Sequence, residues 1–380
     1  KKWYHQIDSI SQLAARYNIP NEYDKMMTAI GSEGTNAYTS NDVTCYVENI
    51  PSNELDTWAK VQGDRFQNMV IRGFHTELEA VYEEYNIGLS SDWRKMYAAL
   101  FAKLFPTHPY GTQTTIGLGE HLKNPSITNI KNYFNKYYVP NNVAICLSGD
   151  LNPDETVAAI EKYFGNWKPS AHIDVPQFPV QPTLTAPVDT TIIGKEAPSF
   201  FMGWRAEASN SLQMDTLEIV AQLLSNGAAG LFDLDLTQKL KVQEVGAGVS
   251  DMNDYSVFYI YGQPKKGQTL QEARALALSE VEKLKKGEFS DDLLPSIINN
   301  YKRYYYTELD KNQFRAKQYV DAFINHKSWK QEVDKLARVS KLTKAQIVRF
   351  ANQFLRNDFA CVYKEQGNDT TIKKVEKPTI

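Results

Sequence analysis

Histidine and cysteine, the side chains that most often hold transition metals, are sparse in this chain. Six histidines are spread over 380 residues, and no two of them stand at i,i+4. That spacing excludes a helical histidine pair of the kind that grips zinc. The three cysteines, Cys45, Cys146 and Cys361, lie far apart, each in an apolar run. They have no zinc-ligand spacing and read as buried thiols, not as a disulfide framework. No stretch of about 18 apolar residues occurs, so no segment reads as a membrane-spanning helix. Net charge is -3, which excludes the basic excess that attracts nucleic acid or an anionic membrane.

What remains is an ordinary globular composition, 42% hydrophobic and 23% charged, over a length that suits two domains of about 150 residues or slightly more. Lys1 to about Tyr17 suits an amphipathic helix with Ile7, Ile10, Leu13 and Ala14 on one side, stopped by Pro20. Two strand-like runs follow a turn, near Asn36–Thr39 and Val43–Asn49. Helices then dominate until Val143–Ser148, an apolar strand ended by Gly149-Asp150. Prolines recur at 176, 179, 182 and 187, which is linker chemistry. Beyond them the order of elements resembles the first half, from strand Ser199–Trp204 to a final strand Phe359–Tyr363. The expected fold class is α+β: two duplicated units, each a mixed β-sheet with helices packed on one side. The expected division is 1–170, a proline-rich linker 171–190, and 191–380.

One helix carries a candidate chemistry. In Phe74–Asn86, Glu77 and Glu84 are seven residues apart, and seven steps of about 100° return nearly to one direction. Ala80 and Val81 share that stripe and would seek burial. Carboxylates beside buried apolar groups are costly unless something pairs with them, and a metal would do so. A solvated helix face is the plainer alternative.

Several motifs in order resemble one family. Asn21-Glu22-Tyr23-Asp24-Lys25, Gly31, Asn36-Ala37-Tyr38-Thr39-Ser40, Asp42 and Thr44-Cys45-Tyr46 are similar to the region just after the metal motif of M16 peptidases, the insulinase, pitrilysin and mitochondrial-processing-peptidase relatives. Glu77–Glu84 resembles the helix of their third zinc ligand. His108-Pro-Tyr-Gly111, Tyr137-Tyr138, Pro140-Asn141 and Gly149-Asp150 continue the likeness. It covers about Asn21 to Trp167 well, and the second half looks more loosely like the paired non-catalytic domain.

The resemblance implies a zinc endopeptidase acting on peptides or unfolded polypeptides. It makes Glu84 the distal zinc ligand and Glu77 the outer carboxylate that supports the ligand set. It makes Asn36, Ala37, Tyr38 and Thr39 an edge strand on which an extended substrate is laid by main-chain hydrogen bonds. Zinc would activate a water, with a glutamate of the inverted H-x-x-E-H motif as base. That motif is absent from the sequence. Its two histidines are expected upstream of Lys1; the competing expectation is a catalytically silent partner subunit or peptide-binding scaffold. One glutamate cannot make a tetrahedral site, so zinc is expected in the intact parent and not in this piece alone. A second M16-like half is expected as partner, in the same parent chain or as another subunit, with no nucleic acid and no membrane span. Family analogy suggests the bacterial periplasm or cell envelope.

Overall fold

The computed structural model describes residues 2–123, 125–372 and 374–375. In chain order the elements are α1 (Lys2–Ala15), α2 (Glu22–Ala29), β1 (Thr35–Thr39), β2 (Thr44–Glu48), α3 (Leu55–Gln67), α4 (Phe74–Leu89), α5 (Asp92–Leu104), α6 (Pro109–Thr112), α7 (Gly119–Leu122), α8 (Ile127–Tyr137) and α9 (Pro153–Phe164). There follow β3 (Val188–Gly194), β4 (Ser199–Ala206), α10 (Gln213–Leu224), β5 (Glu244–Ser250), β6 (Ser256–Gln263), α11 (Leu270–Lys286), α12 (Leu293–Leu309), α13 (Asn312–Ile324), α14 (Trp329–Val333), α15 (Lys335–Val339), α16 (Lys344–Phe354) and β7 (Ala360–Gln366). The chain divides into two compact units. One holds the described residues up to Gly88, Thr115–Gln177 and the described tail residues 374–375; the other holds Leu89–Thr114 and Phe178–Ile372. The division falls within the proline-rich stretch, but Leu89–Thr114 groups with the second unit, so neither unit is one continuous segment.

In the first unit, β1 and β2 form an antiparallel hairpin in which Ala37 faces Tyr46. Around it, Phe66 meets Tyr46 edge-on at 5.2 Å and approaches Trp167 at 6.3 Å. Helices α3 and α9 touch closely at Gly63, where a Cβ would lie 3.0 Å from the Tyr163 carbonyl oxygen. The Gln67 amide donates to that same oxygen at 2.9 Å. Val143–Ser148, expected as a strand, begins in extended conformation but carries no ladder. A strand exists only when paired, and the described strands of this unit are β1 and β2 alone. Apolar residues of α1 are exposed, Ile10 at 66% and Leu13 at 55%.

The second unit is built on a five-stranded mixed sheet of order β3-β7-β4-β6-β5, with β3 and β7 parallel and the other pairs antiparallel. Its strands are apolar on both faces, as in Ser-Phe-Phe-Met-Gly-Trp-Arg-Ala, so both faces need cover. Phe200, Met202, Trp204, Phe258 and Ile260 face the core shared with α10, α11, α12 and α16. Phe201, Val257, Ala360 and Val362 face Met96, Leu100, Phe101 and Leu104 of α5. The expectation of helices on one side is therefore corrected here: α5 closes the second face. Gly203 permits the close approach, since a Cβ there would lie 3.1 Å from Leu100 and 3.0 Å from Val257. Helix α11 shows how plainly some ends are written. Thr269 and Glu272 form a capping box at its start, and Gly287, at φ 72°, terminates it.

Candidate metal and peptide site

Helix α4 starts after Gly73, whose φ of 60° turns the chain and whose carbonyl accepts the Glu77 N–H at 3.0 Å. The helix has one fully buried side chain, Tyr82, whose hydroxyl donates to the Leu122 carbonyl at 2.6 Å. Glu77, Ala80, Glu84 and Ile87 follow one another along the opposite, exposed face. Ile87 is 68% exposed. The expected burial of Ala80 and Val81 is corrected accordingly: Ala80 is exposed and Val81 half-buried, because Tyr82 sets the inward direction. The two carboxylates thus share an open face instead of a desolvated stripe.

The hairpin presents a second open feature. Ser40 N–H donates to the Val43 carbonyl at 2.9 Å and Asn49 N–H to the Gly34 carbonyl at 3.4 Å. These bonds fix Asn36 and Tyr38 as hydrogen-bonded positions facing β2, so the N–H and C=O groups of Thr35, Ala37 and Thr39 point away from it. Among the described residues no further strand pairs with β1. Among the described residues the Ala37 N–H is met by the Asn36 side-chain oxygen at 2.8 Å, a local bond that an incoming main chain can replace. Asn36, Ala37, Tyr38 and Thr39 are all exposed.

The support of this hairpin was not legible in the sequence. Glu48, at the end of β2, has a side chain only 8% exposed. Its carboxylate accepts from the Tyr23 hydroxyl, the Trp58 indole N–H and the Gln62 amide, the last at 2.8 and 2.9 Å. Burial, followed by the Glu48 carboxylate, pushes the Tyr23 hydroxyl well above its ordinary value. Arg65 lies 3.8 Å from Glu48 and covers the Tyr23 ring at 4.0 Å. The partners stand 25, 10 and 14 residues away, without a local pattern to flag them. His108, singled out within His-Pro-Tyr-Gly, belongs to the second unit, where it is 1% exposed. Its Nδ1 accepts the Tyr110 N–H at 3.1 Å, so its Nε2 donates to Asp254 at 2.9 Å.

The donor set for zinc is incomplete among the described residues. No group of three histidine, cysteine, aspartate or glutamate side chains gathers there. Glu84 supplies one carboxylate, while a zinc site takes three or four protein ligands. The residues present therefore do not by themselves fit the ion. No described helix is long and apolar enough to cross a membrane.

A helix-covered mixed sheet and a hairpin-bearing helical unit define an α+β protein, and comparison with known proteins places that fold among M16-like proteases. The family model described as the Peptidase M16 inactive domain matches residues 126–301. The zinc protease PqqE of Helicobacter pylori is 23% identical over 373 residues, 93% of this chain and 80% of that protein. The crystal structure of a protease from Helicobacter pylori superimposes with a TM-score of 0.84 at 21% identity, over 90% of this chain and 84% of that one. The periplasmic protease PqqL from Escherichia coli gives 0.71 at 14% identity, covering 91% of this chain and 41% of PqqL. The chain is thus similar to M16 peptidases, in sequence to a zinc protease over most of its length and in fold to M16-like proteases, with the inactive-domain model matching its middle part.

Proposed function

We propose that this chain serves a zinc endopeptidase that hydrolyses peptides or unfolded polypeptides, contributing one metal ligand and the strand that receives the substrate. The observation that carries this reading is the open face of α4, where Glu77 and Glu84 lie beside an exposed Ile87. Ile87 extends the face of the two carboxylates with apolar surface at its C-terminal end. A second polypeptide surface covering that face would bury Ile87 and bring further donors to Glu84. In this proposal Glu84 binds zinc, Glu77 supports the ligand set, and the remaining donors come from a segment other than the residues described. The outward main-chain groups of Ala37 and Thr39 receive an extended peptide by strand addition.

A second reading is a catalytically silent partner subunit or peptide-binding scaffold. The inactive-domain description of the matching family model favours it. That match starts at residue 126, however, and leaves α4 and the hairpin outside. Likeness to PqqL, described as periplasmic, supports a periplasmic setting as a proposal.

Elemental analysis of the full-length gene product separates the two readings. One zinc per chain, lost in Glu84→Gln, supports the peptidase reading. Zinc retained in Glu84→Gln removes Glu84 from the ligand set. A folded wild-type protein without zinc transfers the weight to the partner-subunit reading.

A further inference from the structure

Helix α4 buries Tyr82 and lays Phe74, Leu78, Val81 and Tyr85 half-buried along the same side. Polar anchors add to that packing, and one comes from 289 residues along the chain. Asn86, two positions after Glu84, donates its side-chain nitrogen to the Val375 carbonyl at 3.0 Å. Its side-chain oxygen accepts the Val375 N–H at 2.9 Å. Both ends of one carboxamide thus engage both main-chain groups of a single residue, as a neighbouring strand would.

The Val375 side chain is 7% exposed. It occupies a hollow that only glycine leaves open: a Cβ on Gly119 would lie 2.4 Å from Val375 Cγ2 and 3.1 Å from the Tyr85 ring. Gly119 opens α7, and Leu122 at the end of α7 is the residue that receives the Tyr82 hydroxyl. Tyr82 and Asn86, each two residues from Glu84, lie about 160° round the helix from it. Their anchors grip the back of α4 while the carboxylates look out from the front. The geometry is demanding for a ligand. A roll of about 20° moves a side-chain tip, roughly 5–6 Å from the axis, by about 2 Å. Metal–ligand distances are held to about 0.2 Å.

We infer that Asn86, Gly119 and Val375 form a clasp that sets the rotation of α4, making Asn86 and Val375 positioning residues for the face that carries Glu77 and Glu84. The consequence for zinc rests on the reading of Glu84 as a ligand; the clasp itself does not.

The test uses the full-length protein, its Asn86→Ala variant, which loses both hydrogen bonds, and its Val375→Gly variant, which empties the hollow. Hydrogen exchange followed by mass spectrometry is read over α4, α7 and the β1–β2 hairpin. Both variants are expected to exchange about tenfold faster in α4 and α7, the effect of about one net hydrogen bond, with the hairpin unchanged. Unchanged α4 protection in both variants overturns the clasp. Zinc affinity is read in the same proteins, where a fall of about 10–100-fold with Glu84 intact supports the aiming role. Loosened α4 with wild-type zinc affinity overturns that role. A wild type that binds no zinc sinks the metal reading, and hydrogen exchange still decides the clasp.

Discussion

Lys364→Met is expected to destabilise the second unit severely, although it replaces a charged residue by an apolar one in an apolar setting. Lys364 Nζ lies 3.2 Å from Asp92 Oδ2, and the two side chains are 2% and 3% exposed. Burial alone would raise the Asp92 carboxyl, but the Glu196 N–H and the Lys364 ammonium outweigh it and hold that carboxyl below its ordinary value. Asp92 is therefore charged at neutral pH. It has no room to swing toward water, because Gly194 presses on it: a Cβ at 194 would lie 2.3 Å from the carboxylate. Removing the ammonium leaves a buried carboxylate held by the Glu196 N–H at 2.8 Å but without its counter-ion. The loss is expected to be about 3–5 kcal/mol. For a unit of this size each kcal/mol lowers Tm by about 2–4 °C, so a fall on the order of 10 °C follows. The double variant Asp92→Asn/Lys364→Met removes both charges and is expected to recover more than half of the loss. Thermal and urea unfolding of the wild type, both single variants and the double variant measure the coupling. A depressed carboxyl stabilises above its unfolded value, near 3.9, and that contribution is lost as pH falls through the folded value. The wild type, but not the double variant, should therefore lose this contribution below about pH 4. A single-variant loss under about 1 kcal/mol, or a double variant as unstable as the sum of the singles, would refute the reasoning.

Ala37→Pro tests the substrate strand. It removes an N–H that points away from β2, which proline tolerates at a sheet edge, so the hairpin should keep its melting behaviour. In the proposed peptidase, peptide KM should rise about five- to tenfold for one lost main-chain bond, and an unchanged KM would exclude β1 as the receiving edge. Glu280→Gln tests a buried acid in the second unit. Glu280 is 2% exposed and shares Lys283 with Asp235, at 3.0 and 2.7 Å. Burial raises its carboxyl above the ordinary value in spite of Lys283. A raised carboxyl contributes its stability below the unfolded value, near 4.3, and loses it as pH rises through the folded value. The variant should thus gain on the wild type, by on the order of 1 kcal/mol, at pH 7 relative to pH 4. Equal urea midpoint differences at the two pH values would contradict this.

The local elements of this protein were largely legible because their signals are local. Asn152 and Pro153 open α9, Thr343 and Gln346 cap α16, and the apolar run from Ser199 forms β4. The seven-residue spacing of Glu77 and Glu84 sufficed to put both on one helical face. Some readings of local chemistry failed where a partner was needed. Val143–Ser148 has the composition of a strand but no ladder. Gly230–Leu240 reads as a helix, and the chain is helical over residues 231–237, but Asp233–Thr237 is wound as a π turn, with the Asp233 carboxylate collecting the N–H groups of Asn226, Ala228 and Gly230 before it.

The sequence by itself determined where helices begin and end, which carboxylates share a face, and the family to which the ordered motifs point. Those properties depend on hydrogen bonds and side-chain spacings a few residues apart. The tertiary structure alone decided that the α4 carboxylates face outward, that α5 closes the second face of the five-stranded sheet, that Glu48 gathers Tyr23, Trp58 and Gln62, and that Val375 holds Asn86. Each of these is a matter of burial or pairing between residues up to 289 positions apart, and the chain carries no local record of which distant side chain will fill a given hollow.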